Sequence, residues 1–261
     1  MTPFFFGEGQ RRLFGVYDPA EGLNAKAPRA VVFCAPWGPE YTFSHGVFRR
    51  LALNLAAGGY HVLRFDYFGA GDSAGESTEA DLEGWRTDID SAIDELKSMA
   101  GALRVSLIGA RIGAALAAEA AVRRVDIDRL VLWDPVVVGR SYLDELELKH
   151  AAWVNERTRY LPLPPADTPN RLCHPLPARI EQQMAAIDLA GLLTRLKQKI
   201  LLVLSESRGT DAAALGTIAN VIPNRLTLER VRDRPPWRED SPEFGGPMPV
   251  NALGRITAWM G

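Results

Sequence analysis

The sequence predicts an α/β protein, a mostly parallel sheet with helices on both faces. Three observations carry that expectation. Short unbroken apolar runs, such as residues 30–34, alternate with amphipathic helical stretches. Such runs suit strands that are buried on both faces. A strand, a glycine-framed turn and an alanine-rich helix follow one another at residues 105–122. Finally, one block, residues 139–196, breaks the strand–helix rhythm, as an insertion into such a sheet does. With 47% hydrophobic and 24% charged residues, the chain has a globular composition, which excludes disorder, collagen and coiled coil.

The elements follow in order. Residues 4–6 and 12–17 read as a hairpin around Gly7 and Gly9, with aromatics flanking the turn. Residues 30–34 form the first buried strand. Ser44 is placed to cap an amphipathic helix running to about residue 57, which Gly58 and Gly59 end. A strand at 60–65 comes next. Residues 80–99 carry Leu82, Trp85, Ile89, Ile93 and Leu96 at a helical period. Strands at 103–108 and 130–133 bracket the alanine-rich helix. After the insertion come a strand at 200–204, a helix at 212–221, a strand at 225–231 and a closing helix at 250–260. Within the insertion, residues 142–154 and 180–196 read as helices. Between them Pro162, Pro164, Pro165, Pro169, Pro175 and Pro177 forbid a helix or a central strand. The expected organisation is a core of residues 1–138 and 197–261, with residues 139–196 capping the carboxyl ends of the strands, where open α/β sheets bind ligands.

A net charge of -2 argues against a nucleic-acid or anionic-membrane binder, which needs a basic surplus. Two cysteines, Cys34 and Cys173, cannot make a disulfide framework and point to a reducing cytoplasm. The apolar run at 4–6 is too short for a signal peptide, and no stretch is long enough to span a bilayer. No histidine–carboxylate cluster has metal-ligand spacing, and no cofactor is expected.

The turn between strand and helix reads Gly109-Ala110-Arg111-Ile112-Gly113. This is the frame of a nucleophile elbow, G-x-S-x-G, with arginine in place of the serine. Earlier, Asp66-Tyr67-Phe68-Gly69-Ala70-Gly71-Asp72-Ser73-Ala74-Gly75 resembles the D-x-x-G-x-G-x-S-x-G stretch of the serine aminopeptidase-like branch of the α/β-hydrolase superfamily. The likeness covers about residues 30–140, and the remainder by element order. Within that branch the chain resembles the exosortase-system-associated hydrolases, which also carry arginine at the elbow and a stretch like Trp133-Asp134-Pro135-Val136-Val137. The resemblance implies an α/β-hydrolase fold and an accessory role in a biosynthetic cluster.

The elbow cannot perform Ser-His-Asp chemistry. A guanidinium stays protonated and does not attack a carbonyl. Glu206 and Asp211 stand where the triad acid belongs, but residues 233–240 contain no histidine. The four present, His45, His61, His150 and His174, all precede the last third of the chain.

Arg111 is therefore expected to act as an anchor. Aimed into the pocket above a helix N-terminus, it suits an anion, unless Glu40 or Asp134 supplies its counter-charge from within. Ala110, Ile112, Trp37 and Trp237 are expected to line the same pocket. Cys34 reads as a small core hydrophobe, Ser73 as a loop hydrogen-bonder, and a Ser44–His45 dyad is disfavoured because adjacent helical side chains point apart. Two functional readings follow. One is a non-catalytic or redirected accessory protein, a pseudoenzyme binding a small anionic or acyl-bearing ligand, with a homodimer or a pathway protein as its expected partner. The other is an active hydrolase or acyltransferase with non-standard catalytic residues.

Overall fold

The computed structural model describes residues 1–22, 28–158, 169–205, 224–237 and 248–261. Ten strands and seven helices lie among them: β1 Thr2–Phe6, β2 Leu13–Asp18, β3 Arg29–Cys34, α1 Pro39–Ala57, β4 Tyr60–Phe65, α2 Leu82–Ala100, β5 Val105–Ala110, α3 Ile112–Arg123, β6 Ile127–Trp133, α4 Gly139–Thr158, β7 Asn170–Arg171, β8 His174–Pro175, α5 Ala178–Ala185, α6 Leu189–Leu193, β9 Lys199–Leu204, β10 Leu226–Arg230 and α7 Val250–Met260. Eight strands form one sheet in the order β1-β2-β4-β3-β5-β6-β9-β10. The β1–β2 and β2–β4 pairs are antiparallel, and every other pair in the sheet is parallel. Helices surround it, α1 packing on β4 and α7, α2 on β3 and α3 on β5 and β6.

The local causes are legible. All six residues of β5 are buried, as suits a largely apolar strand covered on both faces, with Ser106 its one polar side chain. The predicted stripe of α2, from Leu82 to Leu96, is buried throughout. Asp81 caps that helix by accepting from the Gly84 N–H at 2.6 Å, and Gly101 ends it in a left-handed conformation at φ 67°. β3 and β5 lie side by side although β4 comes between them in sequence. Their carboxyl ends therefore open onto the crevice where strand order reverses.

Two local expectations are corrected. The first helix starts at Pro39, not at Ser44, because proline suits the first helical turn. Ser44 lies inside it and donates to the Tyr41 carbonyl at 3.0 Å. Residues 180–196 are not one helix either. α5 stops at Ala185, Asp188 pairs with Val138 as an isolated bridge, and its side chain caps α6 by accepting from the Gly191 N–H at 3.2 Å. The predicted helix at 212–221, and the acid candidates Glu206 and Asp211, lie outside the described residues.

Candidate functional site

The site is built on the turn from β5 to α3. Arg111 sits there at φ 52° and ψ -123°, a conformation that L residues other than glycine rarely adopt and that costs on the order of 1–3 kcal/mol. The surroundings over-determine it. The Arg111 N–H donates to the Trp133 carbonyl at 3.1 Å, and the Arg111 carbonyl accepts from Ala114 N–H at 3.1 Å and Val136 N–H at 3.2 Å. Both framing glycines are required by space. A Cβ on Gly109 would meet the α3 backbone at Ala114, and one on Gly113 would meet the carbonyl oxygens of Cys34 and Ala35. The strand–turn–helix of the elbow is thus intact, with a guanidinium where a hydroxyl would stand.

That guanidinium is held on three nitrogens. Nε donates to Glu40 Oε1 at 2.8 Å, Nη2 to Glu145 Oε2 at 3.0 Å, and Nη1 to the Asp134 carbonyl at 3.3 Å. The second oxygen of Glu40 accepts from the Tyr142 hydroxyl at 2.9 Å, and the Arg111 guanidinium lies 5.3 Å from the Tyr142 ring centroid. Lys149 completes the cluster on Glu145 at 2.8 Å. Glu40 comes from the first turn of α1, favourable to a carboxylate, while Tyr142, Glu145 and Lys149 come from α4. The Glu40 side chain is 2% exposed and that of Arg111 11%. Two cations face two carboxylates, so the charge of Arg111 is compensated within the protein.

The protonation states follow. Burial alone would lower the Arg111 pKa, but Glu40 and Glu145 outweigh it and push it above its ordinary value. Burial, reinforced by Glu40, raises the Tyr142 phenol well above its usual range. Asp134 behaves differently. Burial pushes its carboxyl up to about 6, against hydrogen bonding from Ser205 and the attraction of Arg111. Its Oδ1 accepts from the Ser205 N–H at 2.7 Å, while Oδ2 is buried with no hydrogen-bond partner among the described residues.

Asp134 should therefore make stability pH-dependent. Unfolded, it titrates near 3.8; folded, at about 6. Between those values the folded chain binds more protons, so stability falls as pH rises through the window, by about 3 kcal/mol in all. Asp134→Asn keeps an Oδ1 acceptor for Ser205 and tolerates the positive φ of 40° at this position. The variant should match the wild type below pH 4 and exceed it in urea midpoint above pH 6.5. Parallel pH profiles for the two proteins would contradict this.

The ion pair expected between Arg111 and Glu40 is formed. Asp134 approaches Arg111 through its backbone carbonyl. Of the expected pocket wall, Trp37 lines a cavity of about 360 Å³ together with Tyr67, Trp85, His174 and Ile180, and its ring meets His174 edge-on at 6.1 Å. Ala110 and Ile112 are fully buried and do not line that cavity. Trp237 is buried, packs edge-on against Trp133 at 5.1 Å and does not line that cavity; the Trp133 indole donates to Ser205 Oγ at 3.0 Å. Cys34 is buried and its thiol pKa is pushed up by burial, so it is not a nucleophile. Ser73 bridges the Phe14 N–H and the Asp66 carbonyl, as a loop residue. His45 bonds Tyr41, and His61 bonds Tyr17. Tyr142, Glu145 and Lys149 escaped sequence reasoning. The signals were the Gly139-Arg140-Ser141-Tyr142-Leu143 stretch, shared with the resembling hydrolases but assigned no role, and the i,i+4 spacing of Glu145 and Lys149, which any exposed helix shares.

Comparison with known proteins agrees with this fold. The model of the serine aminopeptidase S33 family matches residues 26–188. No curated protein matches. Among solved structures, DcsB in complex with its substrate analogue is 13% identical with a TM-score of 0.70, over 99% of this chain and 98% of that one. Est1E from Butyrivibrio proteoclasticus with bound ferulic acid is 17% identical with a TM-score of 0.68, over 98% and 96%. Mouse alpha/beta hydrolase domain-containing protein 10 is 14% identical with a TM-score of 0.65, over 100% and 98%. At such identities these structures speak for the fold alone. Among the described residues no helix is long and apolar enough to cross a membrane. Because the family match spans more than half the chain, the chain belongs to the serine aminopeptidase-like branch of the α/β-hydrolase superfamily.

Proposed function

We propose that this protein is a non-catalytic or redirected α/β-hydrolase-fold protein that binds a small acyl-bearing ligand in an accessory biosynthetic role. The observation that carries the reading is the elbow itself: Arg111 holds the nucleophile's place and is compensated by Glu40 and Glu145. With no histidine after His174 in the sequence, neither the elbow serine nor the triad histidine stands in its expected place. The 360 Å³ cavity beside residues 36–38 has largely aromatic and aliphatic walls, which favours an acyl or aryl group over a bare anion. An anion at Arg111 would first have to displace Glu145. Residues 139–196 act as the cap, pinned to the core through Tyr142 and Glu145. The cheap test is a thermal-shift screen of acyl amides, carboxylates and phosphate, run beside a serine-directed phosphonate probe and an ester panel. Stabilisation by acyl ligands with no labelling and no turnover supports the proposal.

A second reading rests on Asp134. A carboxyl titrating at about 6 beside the elbow is suited to proton transfer near neutral pH. An active hydrolase or acyltransferase would then use this carboxylate and a water. Ester turnover abolished by Asp134→Asn in the folded protein would put this reading ahead.

Arg111→Ser separates the two further. The serine would stand in the elbow without a base, and an unactivated hydroxyl is a poor nucleophile at neutral pH. The variant is expected to show no turnover of short activated esters above the wild type. Turnover blocked by a serine-directed inhibitor would reveal a hidden base, His45 being the nearest in the chain to the loop before α1.

A further inference from the structure

A second cavity, of about 180 Å³, lies between β2, β3, β4 and α1. Tyr41 and Gly71 line both it and the larger cavity, but Arg111 lines neither. Its floor is apolar, with Phe14, Val16, Phe33, Phe48 and Phe65 among the lining residues. Its mouth carries His45, Tyr41, Asp66 and Arg64 in a defined hydrogen-bond pattern. The Tyr41 hydroxyl donates to Asp66 Oδ1 and also contacts His45 Nε2 at 2.9 Å. A carboxylate accepts only, and a phenol has one proton. His45 Nε2 must therefore be the donor to Tyr41, which leaves the lone pair of the neutral ring on Nδ1, free for a ligand's hydroxyl. The Tyr41 phenol stays protonated, since burial and then Asp66 push its pKa above the usual range.

The charges at the mouth are unequal. Arg64 bonds Asp18 Oδ2 at 3.3 Å, while Asp66 and Asp72 add two further carboxylates to the lining. Negative charge thus exceeds positive, which disfavours an anion. Arg64 Nε is buried with no hydrogen-bond acceptor among the described residues, and a buried unmatched donor is stabilised by any acceptor that reaches it. In size, the space is comparable to a dry engineered cavity of about 150 Å³ that accepts benzene.

We propose that this cavity, bounded by the β2–β4 face and the His45–Tyr41–Asp66 chain, is a second binding site, for a neutral single-ring aromatic alcohol or phenol. The ring fills the phenylalanine-lined floor, and the hydroxyl donates to His45 Nδ1. This inference does not rest on the reading of Arg111, and either can fail alone.

The experiment is protein-observed and saturation-transfer NMR on the full chain with benzyl alcohol, toluene and benzoate as probes. Benzyl alcohol is expected to bind at least tenfold more tightly than either of the others and to shift the His45 ring resonances. His45→Ala, at an exposed position, should keep the fold and bring benzyl alcohol down to the level of toluene. Val16→Phe, filling the floor, should abolish binding of both. Benzoate binding as well as benzyl alcohol, an unchanged preference in His45→Ala, or retained binding in a folded Val16→Phe would each overturn the proposal.

Discussion

Glu40→Ala is expected to destabilise the protein by about 3–5 kcal/mol, the range for removing one partner of a buried ion pair. The carboxylate is 2% exposed and does two things at once. It accepts from Arg111 Nε at 2.8 Å and from the Tyr142 hydroxyl at 2.9 Å. Its removal leaves a buried guanidinium with one carboxylate and a buried phenol without its acceptor. It also takes a negative charge from the first turn of α1. Because the loss is mostly that of stranded partners, a second substitution should recover part of it. Arg111→Met removes the stranded cation and leaves an apolar chain of similar reach. The Glu40→Ala/Arg111→Met double variant should therefore lose at least about 2 kcal/mol less than the sum of the singles. Denaturant midpoints of the four proteins close the cycle. Losses that simply add would mean that Arg111 and Glu40 are adjacent without being coupled.

The same cluster shows what could and could not be read from the chain. The pairing of Arg111 with Glu40 was accessible because both belong to stretches whose place in the fold the motifs define: the elbow after β5 and the loop after β3. Tyr142 and Glu145 were not accessible. They lie 31 and 34 residues beyond Arg111, on a helix whose polar and apolar residues show no clean stripe, so nothing local announces which side meets the elbow. The consequence is physical. A site that looked open to an anion is occupied by a carboxylate from α4. Ser44 misled for a related reason: serine is a good helix cap in isolation, but Pro39 starts the helix earlier and the hydroxyl bonds a preceding carbonyl inside it. Trp237 was placed by the position of the missing histidine, whereas burial against Trp133 decides its side chain. The sheet strands fared best, since an apolar run between turn residues has few other places to go.

Gly113→Ala is expected to cost about 3 kcal/mol or more, at the upper end for adding one methyl group to a packed interior. The usual repacking route is closed. The added Cβ would lie well inside 3.0 Å of the carbonyl oxygens of Cys34 and Ala35, and these are backbone atoms of the strand end and loop that carry Trp37 and lead to Glu40. Relief requires the start of α3 to move away from β3. That movement would carry Arg111 with it, because its carbonyl accepts from Ala114 N–H in the same turn. The ion pair with Glu40 should loosen together with the fold. Gly46→Ala is the matched control: it lies inside α1 with nothing within 4 Å of its Cβ position, and alanine there should stabilise by up to about 1 kcal/mol. Thermal and urea unfolding of both variants distinguishes them, with opposite signs expected. A Gly113→Ala protein as stable as the wild type would show that α3 can retreat from β3 freely. The elbow would then be a loose connection, and Arg111 would not be held where Glu40, Glu145 and the Asp134 carbonyl converge.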